Sequence, residues 1–116
     1  AALHYAERAL EIAESTSDYT IAVRRSRAFA YTQYALACDT QWKEMYFLKS
    51  IVIWESIANQ TKISDDFYQW ASVLYYMGSC AKEKNYLHQA KGVLSRCNAS
   101  CKKQNLQKVI IEALKH

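Results

Sequence analysis

The cysteines and histidines of this chain are the side chains best suited to nucleophilic catalysis or metal binding. No two of the four cysteines form a C-x-x-C pair, and no histidine follows them at zinc-finger spacing. Cys97 and Cys101 would share one face of a predicted helix, and a metal site with His88 is one alternative. The spacing of the cysteines and histidines instead predicts that the chain binds neither a metal ion nor a cofactor. We expect Cys38 and Cys80 to be small packing residues in a reducing intracellular compartment, cytoplasmic or nuclear.

Sequence motifs of the common enzyme classes do not occur in this chain. It has no Gly-rich phosphate loop and no His-Glu metal motif. The three histidines (His4, His88 and His116) are scattered, and no local signature pairs a cysteine with a histidine as nucleophile and base. We therefore predict a protein that is not an enzyme.

Positive charge is the second chemical feature of the sequence. The net charge is +4, and from residue 82 onward eight basic residues face two acidic ones. Arg24, Arg25 and Arg27 lie near the start of a predicted helix, where the helix dipole favours acids. With Lys102 and Lys103 they predict a basic patch for an acidic peptide or nucleic acid. The alternative is a solvated helix surface, or pairing with acids on a neighbouring helix.

The elements that must position these residues are helices. The chain has 116 residues, no Pro, two Gly and 51% hydrophobic residues, which predicts one all-α domain with a substantial core. Apolar periodicity and polar breaks predict about six helices, at 1–15, 19–38, 42–58, 65–82, 86–98 and 104–114. No apolar stretch reaches the roughly 20 residues of a membrane span.

Two of the predicted helices have distinctive apolar patterns. The second carries Val23, Ala30 and Tyr34 at helical spacing, and Phe29 and Leu36 are predicted to widen the same buried face. The third is apolar around most of its circumference, so we expect it to pack against neighbours on more than one side.

Residues 71–94 contain the clearest helical hairpin. Small and aliphatic residues recur on one face of each helix, around a charged break at 82–85: Leu74, Gly78 and Ala81 before it, Ala90 and Leu94 after it. Gly78 and Ala90 are small where two antiparallel helices would cross closely. This hairpin resembles a unit of the tetratricopeptide repeat (TPR) family, whose helix–turn–helix pattern places such residues at these offsets.

Aligning the sequence with itself at an offset of 44 residues indicates an internal repeat. It aligns Tyr31 with Tyr75, Ala37 with Ala81, Asp39 with Glu83 and Trp42 with Tyr86. HEAT and armadillo repeats also have periods near this length, but they often use Pro in their turns. The TPR resemblance implies antiparallel hairpins stacked in a right-handed superhelix. The single domain at 1–116 would have units at about 1–15, 19–58 and 65–98 and a final helix at 104–114, and we expect it to be a fragment of a longer array.

The first full unit departs from the TPR pattern. Tyr34 stands where Gly is usual and Tyr46 where Ala is usual. We therefore expect a wider helix crossing in this unit than in the hairpin at 71–94.

The resemblance implies that the first helix of each unit lines a concave groove. When the groove positions of the family are transferred to this sequence, they fall on Ala28, Tyr31, Ala35 and Cys38 in one unit and on Ser72, Tyr75, Ser79 and Lys82 in the next. Tyr31 and Tyr75 would then form an aromatic ladder for a peptide. The alternative is that both tyrosines pack between helices.

The function expected from this architecture is a protein–protein interaction scaffold that binds a peptide or partner helix in the groove. One alternative is a peptide-sensing regulatory domain of a transcription regulator, and another is nucleic-acid binding through the basic C-terminal end. Self-association through the ends of a cut array is a further expectation, because each repeat unit packs on a neighbour.

Overall fold

Helices dominate the computed structural model, which describes residues 2–15, 19–39 and 41–116. Six helices follow one another in these ranges, with no strand: α1 (Ala2–Ser15), α2 (Ile21–Ala37), α3 (Lys43–Thr61), α4 (Ser64–Ala81), α5 (Lys84–Leu94) and α6 (Cys101–Leu114). The predicted all-α class and six helices are confirmed. The predicted breaks near 16–18 and Thr40 lie outside the described residues.

Two helices end on lysines in the left-handed conformation. α3 continues three residues beyond its predicted end, to the point where Lys62 takes φ 59° and its N–H bonds to the Ala58 carbonyl. α4 ends in the same way at Lys82, with φ 55°. Glycine commonly fills this position after a helix, and in a chain with two glycines these lysines occupy it instead.

The segment between α5 and α6 overturns the prediction that Cys97 and Cys101 share a helical face. α5 ends at Leu94, and α6 begins at Cys101. A new helix begins here because Ser100 is an N-cap: its hydroxyl accepts a hydrogen bond from the backbone N–H of Lys103 at 3.1 Å. The two cysteines therefore belong to different segments.

Each helix packs on the next along the chain, and α4 also contacts α6. α3 lies against both α2 and α4, which confirms that this apolar helix packs on more than one side. Short connections make successive helices antiparallel, so α2 and α4 run in the same direction. The fold measures 39 × 32 × 22 Å along its principal axes.

The main core runs from α2 to α6. Its largest fully buried side chains are Trp54, Phe47, Ile57, Leu74, Leu94 and Ile110. A smaller cluster of Leu10, Ala30 and Tyr31 joins α1 to α2. α1 is therefore attached to the rest of the fold mainly through α2.

The close crossing predicted in the second hairpin is confirmed. A Cβ added to Gly78 would lie 2.8 and 2.9 Å from side-chain carbons of Leu87, and Ala90 is fully buried. In the first hairpin the corresponding residues, Tyr34 and Tyr46, meet edge to face with ring centroids 4.5 Å apart. The two hairpins are thus closed by different kinds of side chain.

Candidate functional site

The residues predicted to line a concave groove lie in different parts of the structure. Tyr31, Ala35 and Cys38 are buried between helices, at 8%, 0% and 2% exposure. Ser79 and Lys82 are exposed at the C-terminal end of α4. There they line a cavity of about 420 Å³ together with residues of α5 and of the end of α6.

The two tyrosines proposed as a ladder have different ring partners. Tyr31 stacks on Tyr46 with centroids 5.9 Å apart, and the Lys49 ammonium lies 5.4 Å from each of these two rings. Burial raises the pKa of Tyr31. The described ring contact of Tyr75 is with its sequence neighbour Tyr76, at 5.8 Å. Tyr31 therefore packs between helices, as the alternative interpretation held.

An open groove runs between the parallel helices α2 and α4, with α3 behind it. We call it the α2–α4 groove. It holds a cavity of about 140 Å³ lined by Phe29, Thr32, Gln33, Leu36, Trp54, Tyr68, Gln69, Ser72, Val73 and Tyr76. Ser72, one of the residues predicted to line a concave groove, belongs to this lining. The lining combines aromatic and aliphatic groups with amides and hydroxyls.

Helix α2 contributes exposed apolar side chains to this groove. Phe29 and Leu36 are each 42% exposed, and the Phe29 ring packs edge-on against Trp54 at 4.9 Å between centroids. Gln33 and Leu36 also line a second cavity of about 480 Å³, which lies between α1 and α2 and includes Tyr5. Because the two cavities share these residues, an accessible surface continues from α1 across α2 to α4.

The prediction that Phe29 and Leu36 belong to the buried face of α2 is wrong. The buried face is formed mainly by smaller residues, including Ala28, Ala30 and Ala35, which let neighbouring helices approach closely. The sequence does carry a signal of this orientation. Phe29 and Leu36 alternate with polar residues at helical spacing in the set Ser26, Phe29, Gln33 and Leu36, and all four are exposed.

Trp54 belongs to the groove lining, but its indole Nε1 has almost no solvent-accessible surface. The residue is 1% exposed, and its Nε1 is buried with no hydrogen-bond partner in the structure described. A buried donor without an acceptor costs about 1–3 kcal/mol. The Nε1 of Trp70 is also buried without a hydrogen-bond partner, but Trp70 does not line this cavity.

A buried pair of hydroxyl groups fixes one side of the groove to α3. Ser50 donates a hydrogen bond to the Ala28 carbonyl at 2.8 Å. Its hydroxyl oxygen is 2.7 Å from that of Thr32, which lines the groove. Since the Ser50 proton points to the carbonyl, Thr32 is the donor in this second bond. The α2 side of the groove is therefore held in place by directional bonds.

An ion pair links α2 to α4 at the N-terminal end of the groove. Arg25 donates to both carboxylate oxygens of Asp66, at 3.0 and 2.7 Å, and the Thr61 hydroxyl donates to the same carboxylate at 2.7 Å. The Asp66 side chain is 4% exposed. Burial alone would raise the pKa of Asp66, but the hydrogen bonds from Arg25 and Thr61 hold it below its usual value.

All five residues of the predicted basic patch contact acceptors within the chain. Arg25 pairs with an acid, as the alternative interpretation held. The other contacts are Arg24 with Ser56 and Gln60, Arg27 with the Ala13 carbonyl, Lys102 with Asp65, and Lys103 with the Cys97 carbonyl. The three arginines lie on α2, and the two lysines lie in the first turn of α6.

The cysteines divide into two buried and two exposed residues. Cys38 is buried, as predicted, whereas Cys80 is exposed, contrary to its predicted packing role. Cys97 is also buried, and burial raises the pKa of its thiol. In the described ranges, no three His, Cys, Asp or Glu residues cluster so that they could hold a metal ion.

Comparisons of the chain with protein-family models, curated proteins and solved structures found no match. Within the described ranges, none of the helices is both long enough and apolar enough to cross a lipid bilayer. The geometry of the groove is therefore the basis for assigning a function.

Proposed function

We propose that this chain is a non-catalytic protein–protein interaction module that binds a peptide or partner helix in the α2–α4 groove. The observation that carries the proposal is the exposure of Phe29 and Leu36 beside a cavity that is bordered by amides and hydroxyls. An apolar centre with a few convergent polar groups is the usual composition of a ligand-binding site. The bonds of Thr32 and Asp66 hold the two helices in place before a ligand arrives.

We further propose that the helices form TPR-like repeat units stacked in a right-handed superhelix. Two observations support this architecture. α2 ends at Ala37 and α4 ends at Ala81, which are 44 residues apart and match the sequence repeat. In addition, the first helices of the two hairpins line one groove together.

A peptide-sensing regulatory domain would use the same groove, so it is a more specific form of this proposal. Nucleic-acid binding would instead use the basic residues of α2 and α6. Two of its five basic residues, Arg25 and Lys102, pair with Asp66 and Asp65, and this pairing reduces the positive charge that the patch offers to phosphates.

The proposal is tested by panning a phage-displayed library of random peptides against the chain and mapping the strongest binder by amide chemical shifts. We expect the shift changes to concentrate at Phe29, Gln33 and Gln69. Leu48 and Val52, exposed on α3 outside the groove, serve as the reference surface. Shift changes centred on Leu48 and Val52, or a failure to select any peptide, would contradict the proposal.

A further inference from the structure

We infer that the outer faces of α5 and α6 form a second binding surface, which takes the phosphate backbone of a nucleic-acid duplex without reading its sequence. We call it the α5–α6 basic surface and define it by Lys84, His88, Lys91 and Lys108. It shares no residue with the lining of the α2–α4 groove, so the inference goes beyond the proposed function. Charge, exposed amides and the scarcity of exposed apolar and aromatic groups support it separately.

Acidic residues are missing from a long segment at this end of the chain. Residues 84–111 contain six lysines and arginines and no Asp or Glu. Glu83 and Glu112 flank the segment, and Glu112 is already engaged by Lys115 at 3.9 Å and by His116 at 3.2 Å. A surface with one sign of charge attracts a polyanion.

Three cations of this segment are available to a ligand. Lys84, Lys91 and Lys108 are exposed, and within the described ranges they form no ion pair and no hydrogen bond. By contrast, all five residues of the basic patch on α2 and in the first turn of α6 contact acceptors in the chain. The available charge therefore lies on α5 and further along α6.

The periodicity of α5 places its cations together on one exposed side. The helix buries Leu87 and Ala90, whereas Lys84, His88 and Lys91 fall at i, i+4 and i+7 and are all exposed. The two lysines are two turns apart, about 10 Å along the axis. A duplex carries one phosphate about every 1.7 Å of its axis, so both lysines can meet phosphates without a fixed register.

The other exposed side chains favour a nucleic acid over a lipid bilayer. The exposed residues of α5 and α6 include five amides: Asn85, Gln89, Gln104, Asn105 and Gln107. Amide side chains donate hydrogen bonds to phosphate and sugar oxygens, as lysines do. A helix that lies on a membrane turns an apolar face towards the lipid. Within the described residues of α5 and α6, only Val109 and Ile111 are large apolar side chains that are exposed.

The scarcity of aromatic residues favours a duplex over a single strand. Proteins hold single strands largely by stacking the bases on aromatic side chains. Tyr86 is the only Phe, Tyr or Trp from residue 84 to residue 116, and it is half-buried against the main core. A duplex presents its phosphates outward, and lysines neutralise them without stacking.

The test measures the anisotropy of a labelled DNA duplex, of its RNA equivalent and of a single DNA strand of the same sequence as the chain is added. We expect a duplex Kd of roughly 1–100 μM at physiological salt, the range of non-specific binding. Three phosphate contacts predict an affinity loss of about 40-fold between roughly 50 and 200 mM salt. The single strand, and phosphatidylserine vesicles tested by co-sedimentation, should bind more weakly.

A matched pair of double variants locates the contact. Lys84→Gln/Lys91→Gln should weaken duplex binding at least about fivefold and lower the slope of log K against log salt by about two. Arg8→Gln/Lys49→Gln removes the same charge from exposed positions of α1 and α3. It should keep the slope and stay within about twofold of the wild-type affinity.

Binding to either duplex with this salt dependence supports the inference, and a preference between DNA and RNA identifies the source of the phosphates. The inference is overturned if neither duplex binds, if salt has no effect, or if the single strand or the vesicles bind more tightly. Equal losses in the two double variants would also overturn it, because binding would then follow net charge and not the α5–α6 basic surface.

Discussion

Hairpins α2–α3 and α4–α5 place opposite kinds of residues at corresponding positions of their crossings. In α4–α5, Gly78 lies so close to Leu87 that a Cβ would stand 2.8 Å from a side-chain carbon. Forty-four residues earlier, Tyr34 occupies the corresponding position in α2 and packs against the Tyr46 ring at 4.5 Å. One hairpin depends on the absence of a side chain, and the other depends on a pair of large ones.

The burial of the two hairpins also differs at corresponding positions. Ala35 and Cys38 at the end of α2 are buried, whereas their counterparts Ser79 and Lys82 at the end of α4 are exposed. A residue's place in the repeat therefore does not determine its environment, since the packing helices around the two hairpins are not equivalent. The groove lies where the hairpins meet and combines residues from both.

Breaking the Arg25–Asp66 ion pair, which links the two hairpins, should have the largest effect on the free energy of unfolding. Asp66→Ala removes the partner of Arg25 and leaves its guanidinium, which is 33% exposed, without its carboxylate. We expect the free energy of unfolding to fall by about 2–3 kcal/mol, which is at or below the lower end of the range for breaking a buried ion pair. Urea unfolding measures this change. Asp65→Ala is the control, because that carboxylate is 53% exposed and an exposed pair is worth at most about 1 kcal/mol. Equal losses in the two variants would contradict the role of the link.

The crossing of the second hairpin should be the next most sensitive feature. Gly78→Ala introduces a Cβ against Leu87, and we expect a net loss of about 1–2 kcal/mol after the better helix propensity of alanine is counted. Gly92→Ala is the control on α5, where an added Cβ meets no atom within 4 Å. It should instead gain up to about 1 kcal/mol. The same sign of change in both, measured by thermal unfolding, would show that the close crossing does not limit stability.

The aromatic closure of the first hairpin should cost less to break. Tyr34→Ala removes the edge-to-face contact with Tyr46, and we expect a loss of about 1 kcal/mol. Tyr5→Ala, at a tyrosine that is 73% exposed, should change the free energy of unfolding by less than about 0.5 kcal/mol. If Tyr34→Ala is as neutral as its control, the aromatic pair does not close the first hairpin.

Acid should weaken the link between the hairpins in a defined pH range. The pKa of Asp66 lies below its ordinary value of 3.8, so its contribution is present above that value and is lost as the pH falls through the folded-state pKa. We expect the wild-type chain to lose stability below about pH 4 more steeply than Asp66→Asn does. Parallel curves of unfolding free energy against pH for the two proteins would contradict this assignment.

The sequence predicted the elements of the fold better than the orientation of α2. Gly78 and Ala90 marked the close crossing because small residues at helical spacing let two helix backbones approach each other. The groove-facing side of α2 was harder to predict because that helix has apolar residues around most of its circumference. Side-chain size suggested that Phe29 and Leu36 were buried, but close packing of helices favoured the alanines on the inner face. The unsatisfied Trp54 donor depends on distances between helices, which the sequence pattern does not contain.

The most direct test of the groove compares two leucines of nearly equal exposure. Leu36 is 42% exposed and lines the α2–α4 groove, whereas Leu48 is 40% exposed and lies on α3 outside it. The measurement is the Kd of a selected peptide for Leu36→Ala and for Leu48→Ala. We predict that Leu36→Ala weakens binding by at least about fivefold, through lost apolar burial, while Leu48→Ala stays within about twofold of the wild type. Equal effects of the two substitutions, or a larger effect at Leu48, would contradict the assignment of the α2–α4 groove as the binding surface.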